Sequence, residues 1–358
     1  MCTLRYCLLI SLLFLNNDLF GCTGFFVGAQ GQSVLAKSHD WGQGGVLMSN
    51  RRGVVKTAMN LEPSSERASW SSEYGSLTYT LLGKDLPVAG INEEGLTVEM
   101  FVLRGSQYPD SYNKPTLNEF QWVQYILDTS ATLDEAILNS KNVIIDKVAA
   151  SAHFMVCSAS SECAVFEYTR GKQRIYTQRD GDFFIPVLSN SAYEPSISNL
   201  LQYEGFGGSA PIPIGHSSVD RFVKAATYTM GFGSASTRNI VDYAFDQLAD
   251  LTWAETSWHF VFQPSRLLLW FRRPEARDYS MVNLREFDFS CEGHNLVLDI
   301  GQMDELQASN NWQFTEFSLS KNREILGSGL QYIDWQMTDA EFDHIASHSS
   351  NNACKPVH

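Results

Sequence analysis

The sequence predicts an α+β fold in which sheets pack against one another and helices lie outside them. Three observations point there. Apolar strand-like runs come in groups joined by short polar turns. Amphipathic helical segments also come in groups, not one after each strand, which argues against βαβ winding. The composition, 44% hydrophobic and 18% charged over 358 residues, can bury a sizeable core and is not that of a disordered chain.

The elements follow in order. Cys22 to Gly28 is an apolar strand, Ala29 to Gln32 a turn, and Ser33 to Lys37 a second strand. Val88–Ile91 and Leu96–Leu103 flank Asn92-Glu93-Glu94-Gly95 as a hairpin. Two capping-box patterns then start helices. Thr116 with Glu119 precedes Phe120, Val123, Ile126 and Leu127, and Thr132 with Glu135 precedes Ile137 and Leu138. Strands return at His153–Cys157, Cys163–Tyr168, Gln173–Thr177 and Phe183–Leu188. Ser217, with Asp220 three residues on, caps a helix carrying Phe222, Val223, Ala226 and Met230. Thr237 to Asp250 repeats Ile240, Val241, Ala244 and Leu248 on one face. Trp258–Phe262, Arg266–Phe271 and Tyr279–Asn283 close the set. No linker divides residues 22–358, which read as one domain with a weaker-patterned extension from about Cys291.

Charge excludes some partners. With 26 Lys+Arg against 40 Asp+Glu the net charge is −14, and no basic stripe offsets it, so nucleic acid is not an expected partner. No apolar run is long enough to span a membrane. Residues 1–21 read as a secretory signal: Arg5, then the apolar run Leu8–Leu15, then a polar stretch ending on Gly21. Cleavage there removes Cys2 and Cys7 and leaves Cys22, Cys157, Cys163, Cys291 and Cys354 in an oxidising compartment. Five thiols cannot all pair. A bridge between Cys157 and Cys163 spans a strand–turn–strand, and Cys291 with Cys354 would then pin the extension.

The P-loop, G-x-S-x-G and H-E-x-x-H patterns are missing, and the cysteines lack paired C-x-x-C spacing, so neither a metal nor a cofactor is expected. His344 and His348, four apart in a Ser/Asn-rich tail, read as solvated. The informative feature is a cysteine at a cleavage junction. A terminal Cys22 would carry a nucleophilic thiol and an α-amine of ordinary pKa about 7.7–8.0, so that one residue supplies nucleophile and base.

Cys22-Thr23-Gly24-Phe25, with Ala36-Lys37-Ser38-His39-Asp40-Trp41, resembles the start of the choloylglycine hydrolase family of N-terminal nucleophile hydrolases. The resemblance continues at Gly90–Leu96, at Val187-Leu188-Ser189-Asn190-Ser191 and at Ser217–Val223, in order as far as about residue 285. Counting the same spacing from Cys2 lands on Asn17 and Phe20, so Cys22 is the better start. The resemblance implies a four-layer αββα sandwich and hydrolysis of linear C–N amide bonds. It also implies Cys22 as nucleophile and base, Asp40 holding the amine, Asn190 donating to the oxyanion and Arg221 beside the thiol. Lys37 stands where the family usually has arginine; it keeps the charge but loses the planar fork. Val102 stands where penicillin V and bile salt enzymes usually carry asparagine or tyrosine.

Trp41, Phe25, Phe101 and Val102 lie beside these motifs and are the candidate lining of an acyl pocket, although the strands of a sandwich core use the same apolar residues, and core packing is the expected role of at least half of the aromatic ones. The expected substrates are penicillin V or N-acyl-homoserine lactones, the expected address is periplasmic, and the resemblance implies a homotetramer. A conjugated bile acid is the alternative substrate. A reading of another class is a binding lipoprotein, because Leu19-Phe20-Gly21-Cys22 partly resembles a lipobox; lipidation would block both the thiol and the amine.

Overall fold

The structure, a computed structural model, describes residues 21–29, 31–41, 44–59, 66–110, 114–180, 183–233, 236–303, 312–333 and 335–355. Apart from Gly21, the expected leader lies outside the described residues.

Two antiparallel sheets form the centre. The first has the strand order Val187–Leu188, Thr23–Ala29, Gln32–His39, Trp258–Gln263, Leu268–Arg272, Ser280–Asn283. The second has nine strands: Lys172–Thr177, Cys163–Thr169, Ala152–Cys157, Thr97–Val102, Ala89–Asn92, Ser76–Thr80, Val46–Asn50, Leu296–Asp299 and Thr315–Glu316. They face each other through Phe260 against Tyr79, whose ring centroids lie 4.8 Å apart, and through Lys37 bonded to Glu99. Helices Ser218–Gly231 and Ile240–Leu251 cover the first sheet; Glu119–Thr129 and Leu133–Asn139 cover the second. This is the expected αββα sandwich. Central strands are buried on both faces, which is why they read as near-continuous apolar runs and not as alternation. Gly24 is required by close approach: a Cβ there would lie 2.7 Å from the Phe101 ring.

The caps show where local signals hold. Ser217 accepts from Asp220 N at 3.2 Å and Thr132 from Glu135 N at 3.2 Å, as their spacing predicts. Thr116 does not cap a helix. It belongs to the short strand Thr116–Leu117, paired with Ile144–Ile145, and Asn118 is the cap, accepting from Gln121 N at 2.8 Å. Glu119 turns away to accept from the backbone amides of Val148, Ala149 and Ala150. The helix expected from Thr237 begins at Ile240, because Asn239 supplies the capping oxygen to Val241 N. Of Phe183–Leu188 only Val187–Leu188 is a strand.

The described residues beyond 291 form more regular structure than their sequence pattern suggested. Leu296–Asp299 and Thr315–Glu316 extend the second sheet, helices Leu319–Gly329 and Asp339–His348 pack together, and Ala353–Cys354 pairs with Val54–Thr57. His348 is buried and its Nε2 lies 2.9 Å from the Thr57 carbonyl, so it is a packing residue and not a solvated one. Disulfides join Cys157 to Cys163 and Cys291 to Cys354, leaving Cys22 as a buried free thiol.

Candidate active site

Cys22 stands at the start of Thr23–Ala29, with its side chain in the interior between the sheets and 5% of the residue exposed. The backbone N–H of Asp40 donates to its Sγ at 3.4 Å. Asp40 follows the neighbouring strand directly, so the hairpin of Thr23–Ala29 and Gln32–His39 brings the two together across 18 residues. The Asp40 carboxylate is held from three sides. Ser38 Oγ (2.5 Å) and Thr256 Oγ1 (2.8 Å) donate to Oδ1, and Trp253 Nε1 (2.7 Å) donates to Oδ2. Burial pushes its pKa up, and these donors and Arg221 pull it back. A Cβ on Gly21 would lie 2.5 Å from the same Trp253 ring, so only glycine fits before Cys22 in this arrangement.

Arg221 comes from the first turn of Ser218–Gly231 and is buried. Nη1 donates to the Cys22 carbonyl (3.0 Å) and to Thr23 Oγ1 (2.5 Å), Nη2 donates to Asn190 Oδ1 (3.1 Å), and Nε donates to the His216 carbonyl (3.0 Å). Its Nη1 also lies 3.9 Å from Asp40 Oδ2. Asn190 Nδ2 donates to the Val102 carbonyl at 2.9 Å. The Asn190 loop is fixed from below. Its backbone N–H donates to Ser218 Oγ, and buried His153 bridges Glu167 Oε1 and the Ser189 carbonyl. Cys22, Asp40, Asn190, Arg221 and Val102, scattered over the chain, thus form one connected cluster.

Lys37 faces the interior but does not touch the thiol: Nζ donates to Glu99 Oε2 (2.6 Å) and the Met100 carbonyl (2.8 Å), and lies 4.7 Å from the Phe101 ring centroid. Burial pushes the Cys22 thiol up to about 11; the Lys37 charge is the strongest influence against this, ahead of the Asp40 amide and Arg221, while the Asp40 carboxylate adds to the rise. Ionising this thiol near neutral pH requires a base close by.

Two of the candidate pocket residues are fully buried in the structure. Phe25 is fully buried and meets Tyr228 of the covering helix edge to face, on the side of the sheet away from the interior. Phe101 is buried beneath Gly24 and Lys37. Trp41 is 8% exposed and its indole donates to the Tyr332 carbonyl, which ties the segment after Asp40 to the C-terminal extension. Among the described residues no group of three or more His, Cys, Asp or Glu side chains is placed to hold a metal, and no helix is long and apolar enough to cross a membrane.

The family model for linear amide C–N hydrolases of the choloylglycine hydrolase family matches residues 22–251, beginning at Cys22. The chain belongs to the choloylglycine hydrolase family. It is therefore a linear amide C–N hydrolase. Penicillin V acylase of Pectobacterium atrosepticum is 27% identical over 276 residues, covering 65% of this chain and 72% of that protein. The structure of penicillin V acylase from Agrobacterium tumefaciens is similar with a TM-score of 0.67 and 25% identity, over 82% of this chain and 98% of that one. Conjugated bile acid hydrolase of Clostridium perfringens shares the fold, with a TM-score of 0.62 at 14% identity over 83% and 97% of the two chains.

This choloylglycine hydrolase domain also uses residues the sequence did not single out. Trp253 and Thr256 clamp Asp40 from beyond the matched segment, in a turn locked by Trp253 N donating to Thr256 Oγ1. Loop residues 213 and 216 positions from their partner carry no periodic signal. Glu99 was legible only as a charged residue inside an apolar strand run, which is itself unusual, because a buried carboxylate needs a partner.

Proposed function

We propose that the chain is an exported cysteine amidase in which hydrolysis of the Gly21–Cys22 peptide bond frees the α-amine of Cys22. The observation that carries this reading is the Cys22 thiol buried against the Asp40 amide, with Arg221 on the same residue's carbonyl. The freed amine takes the thiol proton. The thiolate attacks the acyl carbon, and the tetrahedral oxyanion forms within reach of an amide donor such as Asn190. Collapse breaks the C–N bond, and the leaving amine takes the proton back from the Cys22 ammonium. Water, deprotonated by the same amine, then hydrolyses the thioester and restores the thiol. Burial of the thiol speaks against lipidation, since an acylated glyceryl chain on Sγ would have to fit between the packed sheets.

The substrate we infer is penicillin V or an N-acyl-homoserine lactone in preference to a conjugated bile acid. The penicillin V acylase relatives support this, as does Val102, which brings only its backbone carbonyl to Asn190. An apolar acyl pocket discriminates by about 1–3 kcal/mol per methylene, so several chain lengths should be accepted. A panel of penicillin V, long-chain acyl-homoserine lactones and glycine- and taurine-conjugated bile acids tests it. Highest kcat/KM on the first two classes is expected, and highest kcat/KM on the bile acids would overturn it. The periplasmic address and a homotetramer belong to the same proposal; cell fractionation and sedimentation test them.

A further inference from the structure

Glu99 is fully buried in the strand Thr97–Val102, on the face that meets the first sheet. Its Oε2 accepts from Lys37 Nζ at 2.6 Å, while Oε1, equally buried, has no hydrogen-bond partner among the described residues. Lys37 is in register with Gly24, two residues along the strand from Cys22 and on the same face. The ion pair therefore lies in the interior that the thiol faces. A proton can be added to Oε1 without breaking the bond to Lys37. Adding it converts a neutral pair into a net cation.

We propose that Glu99 is a positioning residue that sets, by binding or releasing one proton on Oε1, how much of the Lys37 charge reaches the Cys22 thiol. The proposal rests on Cys22 being the nucleophile. The proton is exchanged with solvent and no covalent bond changes. Burial raises the Glu99 carboxyl to about 7 against the opposing pull of Lys37, so the exchange falls near neutral pH. With Glu99 ionised, Lys37 is compensated and the thiol is hard to ionise. With Glu99 protonated, an unopposed ammonium favours the thiolate. The other groups facing the thiol are the Asp40 carboxylate, which opposes ionisation, and Arg221, which favours it. Tyr79 faces it from the second sheet, and the neighbouring His39 ring is held uncharged by burial and by Lys37. The freed α-amine adds a further titrating charge. By linkage, ionising Cys22 must in turn raise the proton affinity of Glu99.

The test is the pH dependence of Cys22 alkylation by iodoacetamide in the full mature chain, with folding followed by circular dichroism. Glu99→Gln removes the compensating charge at every pH. Its thiol titration should move down by about one unit, roughly tenfold more thiolate at a fixed pH on the acid side. Glu99→Asp should restore the wild-type profile. A folded Glu99→Gln with the wild-type midpoint would overturn the proposal. If that variant does not fold, the paired replacement Lys37→Met with Glu99→Leu decides. Below about pH 7, where wild-type Glu99 is protonated and Lys37 unopposed, its alkylation should be slower than wild type, and a rate equal to or above wild type there would overturn the proposal. Alkylation does not depend on turnover, so the two readings fail separately. Full amidase activity after complete alkylation of Cys22 would remove the nucleophile, whatever the midpoints show.

Discussion

Asn190 and Arg221 illustrate how a single side chain serves two purposes here. The Asn190 carbonyl oxygen holds Arg221, while its amide nitrogen donates to the Val102 carbonyl and, in the proposed mechanism, offers its second N–H to the oxyanion. Asn190→Ala should lower kcat by about 100–1,000-fold, the usual effect of removing one oxyanion donor, with a smaller change in KM. Arg221→Leu should instead slow thiol alkylation at fixed pH, because a cation that favours the thiolate is gone; alkylation as fast as wild type would remove that role. Cys22→Ser should fold normally and lose nearly all turnover, since a hydroxyl is far harder to ionise than a thiol. At this scale the sequence was informative where residues sit in short motifs, as Cys22, Asp40, Asn190 and Arg221 do. It was uninformative where a side chain acts by direction alone: nothing local distinguishes Trp253 from any other indole, or tells whether Phe25 and Phe101, which neighbour the motifs, pack a core or line a pocket.

Capping sequences and hairpins were the most legible elements, because each is a local bargain between adjacent residues. Thr116 failed for the same reason it looked plausible: Asn118 offers a competing oxygen nearer the helix, and the Thr116 backbone is taken by Glu66, whose carbonyl accepts its N–H, and by Ala68, whose N–H it accepts. The two disulfides differ in the loop they close, with separations of 6 and 63 residues. The loop-entropy argument gives about 2 kcal/mol for the shorter and about 4 kcal/mol for the longer. Thermal unfolding of Cys157→Ser/Cys163→Ser and of Cys291→Ser/Cys354→Ser should therefore show the larger loss in the second pair. A larger loss in the first would mean that the hairpin bridge acts through the folded core.

Across the whole molecule, the extension beyond 291 is tied to the sandwich through a buried polar network that the sequence did not announce. Lys56 bridges Asp85 and Asp128, Lys84 donates to Asn50, and Asn352 donates to Asp85. Its members lie far apart in the chain and show no periodicity, so only the fold assembles them. Burial lowers Lys84 to about 8. Between about 8 and its unfolded value the folded chain binds fewer protons than the unfolded one. This group therefore makes stability rise with pH across that window, and below it the buried charge is a cost. Urea unfolding at pH 8 and pH 10 should show the wild type gaining on Lys84→Met as pH rises. A constant difference would mean that Lys84 titrates normally.

The proposed chemistry depends most on one condition, that the working enzyme begins at Cys22. Tandem mass spectrometry of the N-terminal peptide from active exported protein tests this directly. The predicted result is a peptide starting at Cys22 with a free α-amine and an unmodified thiol. A start at any other residue, or acyl chains on Cys22, would contradict it.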